Sequence, residues 1–303
     1  MKMAKITVKL FTILASCVII GCTTNTSSSS KECEEIIQKE NSEKIDTATN
    51  DCAKLGMSQN VQSIKVFIYE AKENFDKFEK GELKEKGHYY IVFDKNGCLS
   101  ESSSFYSTGE HFSKKRYEYK DNKLYKEMFY FDGKLSSTTT YEYDGKHLRS
   151  KLEVDNDGDN NTMRFEHINN GEYITEFVRY ENDVKKAIFK CKVIGNQTEI
   201  TAYNINGKPS GHHRIEEHDE CGRQTKLIWE GNPCEAKYNE KGLPIYLKNA
   251  YISYGIVYFS PFRKDDIRTF EYEYDEKGNW IKRVEYEGEK IRPISISEQT
   301  IVY

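Results

Sequence analysis

The chain has 303 residues, with 49 acidic and 45 basic side chains, a net charge of −4 and a mean hydropathy of −0.78. This length suits one large all-β domain or two ordinary ones and excludes a disulfide miniprotein, while the hydropathy excludes a polytopic helical membrane protein. Aromatic residues make up 13%, with 22 Tyr and 15 Phe, a composition that disordered chains do not have.

Residues 1–21 carry Lys2, Lys5 and Lys9, then an apolar run from Leu10 to Ile20, then Gly21, the layout of a secretory signal peptide. Ile19-Ile20-Gly21-Cys22 resembles the bacterial lipobox. That resemblance implies cleavage before Cys22, acylation of Cys22, and a mature protein held on a membrane by its N-terminal lipid. Loss of three lysines and no acid moves the net charge from −4 to −7. An acidic surface with scattered Lys and Arg offers no basic stripe for nucleic acid. Residues 22–30, rich in Ser and Thr, read as a tether. The residue after Cys22 is Thr23, so the outer membrane is expected, with the periplasmic face preferred to the cell surface.

Residues 31–60 read as a short helical segment, with Ile45, Ala48, Cys52 and Leu55 at helical spacing. Six cysteines remain after the leader and Cys22, and export makes disulfides the default. The preferred pairs are Cys33 with Cys52 and Cys221 with Cys234. A strand-like run follows at Val61–Tyr69, which opens a β domain over 61–303.

From Asp94 onward, turn signals recur every 11 to 15 residues, with β-rich runs between them. Asp or Asn followed three residues later by Gly stands at 94–97, 155–158, 204–207, 219–222, 239–242 and 275–278. The first side chain can cap a type I turn, and the Gly supplies the left-handed position of a bulged hairpin. Asp132-Gly133 and Asp144-Gly145 suit two-residue turns. Tyr117-Glu118-Tyr119, Tyr141-Glu142-Tyr143 and Tyr272-Glu273-Tyr274 alternate Tyr on one face with Glu on the other, so one face is made for burial and one for water. The expected fold is an all-β, elongated or curled antiparallel meander of repeated hairpins.

Tyr141-Glu142-Tyr143-Asp144-Gly145-Lys146, Phe129-Tyr130-Phe131-Asp132-Gly133-Lys134 and the segment Tyr272 to Ile281 resemble the YD repeats of Rhs-type proteins and are similar to MORN-like hairpin repeats. The resemblance covers about residues 89–290. It implies a scaffold or binding role and brings no catalytic residues with it.

The sequence carries no nucleophile elbow, phosphate loop, dinucleotide fingerprint or zinc-helix motif. His212, His213, Glu216 and His218 form a cluster of ligand types, but strand spacing separates them, and a solvated polar strand is the better reading. Asp155-Asn156-Asp157-Gly158-Asp159 resembles a calcium loop, yet its Gly precedes the third acid, so an acidic hairpin turn is preferred. Trp229, Trp280, Tyr251, Tyr254 and Tyr258 are candidates for stacking on a sugar, with core packing as the simpler explanation. No metal, no cofactor and no enzymatic activity are expected. The expected function is a lipid-anchored, non-enzymatic envelope module that binds a protein; an immunity protein that neutralises a toxin and a glycan-binding module are the alternatives.

Overall fold

Many strands of this chain end at a residue that holds positive φ. The computed structural model describes residues 51, 55–57, 60–74, 77–145, 147–156, 162–169, 174–263 and 265–303. The leader, Cys22, the tether, Cys33, Cys52 and nearly all of the helical segment expected over 31–60 lie outside the described residues.

At five of the six Asp/Asn-x-x-Gly sites the expected turn is present. Asp219 is typical: its Oδ1 accepts the amides of Cys221 at 3.0 Å and Arg223 at 2.8 Å, and its carbonyl accepts the amide of Gly222 at 2.9 Å, with Gly222 at φ +75°. Asp94, Asn204, Asn239 and Asp275 repeat the pattern. Residues 157–160 of the acidic turn lie outside the described set. Two-residue turns with both φ positive close other hairpins at Asp121-Asn122, Asp132-Gly133, Asn182-Asp183, Glu230-Gly231 and Tyr254-Gly255, the geometry that matches strand twist.

Between these turns, the described residues form twenty-one strands. They are β1 (Ser63–Asn74), β2 (Lys77–Leu83), β3 (His88–Phe93), β4 (Leu99–Phe105), β5 (His111–Lys120), β6 (Lys123–Phe131), β7 (Lys134–Asp144), β8 (His147–Asp155), β9 (Thr162–Asn169), β10 (Ile174–Glu181), β11 (Val184–Ile194), β12 (Gln197–Tyr203), β13 (Pro209–His218), β14 (Gln224–Trp229), β15 (Asn232–Tyr238), β16 (Pro244–Lys248), β17 (Ala250–Ser253), β18 (Ile256–Phe259), β19 (Ile267–Tyr274), β20 (Trp280–Glu287) and β21 (Arg292–Val302).

The meander does not stay open. From β3 to β16, each strand pairs antiparallel with the next; β16 then pairs with β19, β19 with β20 and β20 with β21. β1 closes the ring between β21 (Ser63↔Val302 to Glu70↔Ser295) and β3 (Ser63↔Val92 to Val66↔Tyr89). The result is a closed antiparallel barrel of 18 strands. The elongated or curled meander expected from sequence is therefore corrected in its global form: the hairpins are as read, but closure leaves those strands without a free edge.

β2 is the strand outside the ring. It pairs with the distal half of β1, from Tyr69↔Leu83 to Asn74↔Lys77, and runs on into β3 after a four-residue interruption. His88, with no exposed surface, fills that interruption. Its Nδ1 accepts the Ile68 amide at 3.0 Å, and its Nε2 meets the Lys84 carbonyl at 2.7 Å. The imidazole thus takes over ladder bonds that the bulge would leave unmade.

Alternation along the strands gives the wall two faces. Ile64, Val66, Ile91, Phe93, Phe165, Phe177, Ile200, Leu247, Phe270 and Trp280 point inward and are buried. The cluster at the lower end, where β1 begins, is completed by Leu55, Met57 and Val61, which lie before the first strand. A Cβ on Gly56 would come within 2.8 Å of Leu243 and 3.0 Å of the Lys241 carbonyl, so this segment sits tightly against the 239–243 turn.

Candidate functional site: the barrel lumen

Between β16 and β19 the chain leaves the wall at the upper end and folds into the lumen as a separate two-stranded hairpin, β17–β18. Asn249 makes the departure. It is buried at φ +53°, its Nδ2 donates to the Pro233 carbonyl at 2.8 Å, and its Oδ1 accepts the Asp266 amide at 3.2 Å, which ties both ends of the excursion together.

The hairpin bridges the interior. Ile252, Val257 and Phe259 pack on Ala236, Leu247 and Phe270 of one wall. At its tip, the Tyr254 oxygen accepts from Ser104 Oγ at 2.6 Å and lies 2.9 Å from Ser113 Oγ, on β4 and β5 of the facing wall. Gly255 at the tip leaves room for Leu55, whose Cδ2 would lie 2.9 Å from an added Cβ. The lumen is thus divided by an element of the chain itself.

The second face of the hairpin carries Tyr251 and Tyr258, stacked with ring centres 5.5 Å apart at 18°. Opposite them on β5 and β6 stands the ion pair of Lys115 Nζ and Glu127 Oε1 at 2.7 Å. The Tyr141 hydroxyl donates to Glu127 Oε2 at 3.4 Å, and the Tyr117 and Ser102 oxygens lie 3.2 Å apart. Burial works against the Lys115 charge, but Glu127 more than offsets it and holds the ammonium above its ordinary pKa. Burial pushes the Tyr117, Tyr141 and Tyr258 phenols up, so they remain neutral donors. Although interior, Lys115 and Glu127 keep 31% and 19% of their side-chain surface accessible, so they line space. Arg263 lies 4.9 Å over the Tyr251 ring and is itself 47% exposed, which places one end of that space at the upper rim.

Two further inward pairs lie within a strand, Arg214 with Glu216 at 2.9 Å and Lys151 with Glu153 at 3.8 Å, whereas the buried Arg283 on β20 donates to Ser297 Oγ at 3.2 Å and lies over the Phe270 and Trp280 rings. The third apolar cluster, Phe165, Phe177 and Ile200, belongs to β9–β12 alone. The lumen therefore holds apolar clusters, charge pairs and, in Arg283, one buried cation with no carboxylate at ion-pair distance among the described residues.

The outer wall is a lattice of cross-strand ion pairs. Glu101 meets Lys114 at 3.1 Å and Arg116 at 3.3 Å; Glu217 meets Lys226 at 3.2 Å; Glu273 meets Lys282 at 2.6 Å; Glu298 meets Lys80 at 2.7 Å. Between them, Lys190 lies over Tyr203 at 5.2 Å and Lys237 over Tyr246 at 4.9 Å. A shallow depression of about 540 Å³, lined in part by Phe67, Tyr69, Ile281 and Lys282, marks this wall near β1 and β20, but the Tyr69 ring is already covered by Lys80 at 4.5 Å.

The histidine cluster is not brought together. His212 Nδ1 meets Glu230 at 2.8 Å and His213 Nε2 meets Glu199 at 2.9 Å on the opposite face, while Glu216 is taken by Arg214. Among the described residues no three His, Cys, Asp or Glu side chains gather as a metal site. Cys234 is a free, fully buried thiol with its pKa pushed up to about 11 by burial, whereas Cys221 is disulfide-bonded. The expected pairing of Cys221 with Cys234 is thereby corrected: strand alternation aims Cys234 inward, while Cys221 sits in the exposed 219–222 turn and its disulfide partner lies outside the described residues. Of the aromatic candidates, Trp280 is core, Tyr254 is held by two serines, Trp229 lies 6.3 Å from His212, and Tyr251 with Tyr258 face the accessible space. Sequence reading missed Lys115 and Glu127 because their meeting depends on a hairpin register; the period-two pattern around Tyr117 was the available signal.

No family model matches the chain, and no curated protein does. Among solved structures, a porin-like protein from Bacteroides uniformis ATCC 8492 is similar over 80% of this chain and 96% of its own, at 12% identity and a TM-score of 0.36. TcdB2-TccC3 without its hypervariable C-terminal region is similar over 74% of this chain and 15% of its own, at 8% identity and a TM-score of 0.25. A DUF1329 family protein from Desulfovibrio piger ATCC 29098 is similar over 84% and 90%, at 8% identity and a TM-score of 0.17.

Proposed function

We propose that this chain is a lipid-tethered barrel of the cell envelope whose outer wall faces water, and that it works as a non-enzymatic binding module. The observation that carries this reading is the charged outer wall. Lys114, Arg116 and Glu118 follow one another on the outward face of β5, as do Lys190 and Lys192 on β11. Lys or Arg facing lipid at the bilayer midplane costs about 2–4 kcal/mol each, and a spanning barrel needs an apolar outer band. Cross-strand pairing of those charges is what a water-facing sheet gains from.

The Ile19 to Cys22 lipobox supports membrane attachment through lipid at Cys22 in place of insertion, and the YD-like repeats support a binding role. The acidic balance suits a protein partner with a basic surface.

Fractionation of the full chain in an exporting bacterial host tests the reading. The protein should sediment with membranes and dissolve only in detergent, while the Cys22→Ser variant should be a water-soluble envelope protein. A Cys22→Ser chain that still needs detergent, or one that conducts ions across planar bilayers, would overturn it.

A further inference from the structure

We propose that the upper lumen, between the Tyr251–Tyr258 face of the inner hairpin and the β5–β7 wall, is a binding site for an uncharged saccharide. This rests on the reading of the chain as a binding module and gives that module a ligand class.

Three properties of the compartment select the ligand. The first is charge. Lys115 and Glu127 neutralise each other at 2.7 Å, so this pair adds no net charge to attract an anion or a cation. The paired Arg214–Glu216 and Lys151–Glu153 extend that neutrality along the interior wall.

The second is hydrogen-bonding capacity. An ammonium has three donors and a carboxylate about four acceptor positions. Among the described residues, Lys115 gives one donor to Glu127, and Glu127 receives Lys115 and the long 3.4 Å bond from Tyr141. Donors and acceptors therefore remain side by side, the pattern that vicinal hydroxyls match. A purely apolar ligand would strip water from this pair without replacing its bonds.

The third is the aromatic surface. Tyr251 and Tyr258 stand on neighbouring strands at the register pair Tyr251↔Tyr258, with Phe129 across from Lys115 on the inward face of β6. Rings set against a polar pair suit a sugar, whose C–H face is apolar and whose rim is hydroxylated. Arg263 lies over Tyr251 at 4.9 Å and is 47% exposed, so this surface sits beside the upper rim and the guanidinium must swing off the ring for a sugar to stack there.

Calorimetric titration of the full chain with neutral trisaccharides of glucose and of N-acetylglucosamine tests this, with the corresponding uronic acid trisaccharide as the charged control. At least one neutral sugar should bind saturably, more tightly than the charged control. Tyr251→Leu, which keeps apolar bulk but no ring, should weaken binding about tenfold, a loss of about 1.4 kcal/mol; Tyr251→Phe should bind normally, and Tyr203→Ala on the outer wall should not change affinity. No saturation with any neutral sugar, tighter binding of the uronic acid, or equal affinity in Tyr251→Leu and the parent would overturn the proposal. Such a failure leaves the Cys22→Ser fractionation result untouched, so the two readings fall separately.

Discussion

His88 shows how a single ring can carry part of a wall. It must accept a hydrogen bond at Nδ1 from the Ile68 amide and donate one from Nε2 to the Lys84 carbonyl, so only the neutral tautomer fits. Burial lowers its pKa below 6.5, and burial lowers that of His167 to about 4. A depressed folded-state pKa means stability that is complete above the unfolded value and lost as pH falls through the folded one. Melting temperature is thus expected to hold from pH 8 to 7 and to fall between about pH 6.5 and 4, each group contributing up to about 1.4 kcal/mol per pH unit in its window. His88→Gln should flatten part of that decline, and an unchanged profile would refute the assignment. Cys234 gives a second test at this scale: buried, with a pKa near 11, it should resist thiol labelling at pH 8 until the protein is unfolded.

The inner hairpin is an element whose position depends on few contacts. Tyr254→Phe removes the hydroxyl shared with Ser104 and Ser113 and should cost about 1–2 kcal/mol in urea unfolding, because two serine hydroxyls are left inside without it. Asn249→Ala should cost more, since it loses two side-chain bonds and Ala tolerates the left-handed φ of +53° less well than Asn. At this scale the sequence was most legible. Asp94, Asn204, Asp219, Asn239 and Asp275 announce their turns because the capping side chain, the variable pair and the Gly all lie within four residues. Tyr117, Tyr141 and Tyr272 reveal their inward face through period two. The hairpin at 250–259 reads as two more strands of the wall, since nothing local distinguishes a strand that pairs with the barrel from one folded inside it. Lys115 and Glu127 were hidden for the same reason: their contact is fixed by the register Tyr117↔Glu127 and not by any spacing along the chain.

For the molecule as a whole, the decisive pairing is the one that local reading could not supply. The β1–β21 seam joins the first described strand to the last, and no motif records it. A ring cannot unzip from an edge that it does not have, so unfolding should be a single transition. Trp229 on β14 and Trp280 on β20 provide reporters in different parts of the wall. Single-Trp variants should give urea midpoints that coincide with each other's backbone signal, and a separated midpoint for either Trp would show that the ring opens in parts.

That seam also imposes an order of events. Nearly every other contact in the wall is a hairpin between neighbours, which needs only a short loop to close, whereas β1 must wait for β21, the most distant strand in the sequence. Until the last strand has been made and delivered, the growing sheet has two raw edges and an unfilled interior. Assembly is therefore a race between completion of the chain and the sticking of those edges to other chains, and a partner or chaperone that covers β1 early would decide the yield of folded protein without altering its final stability.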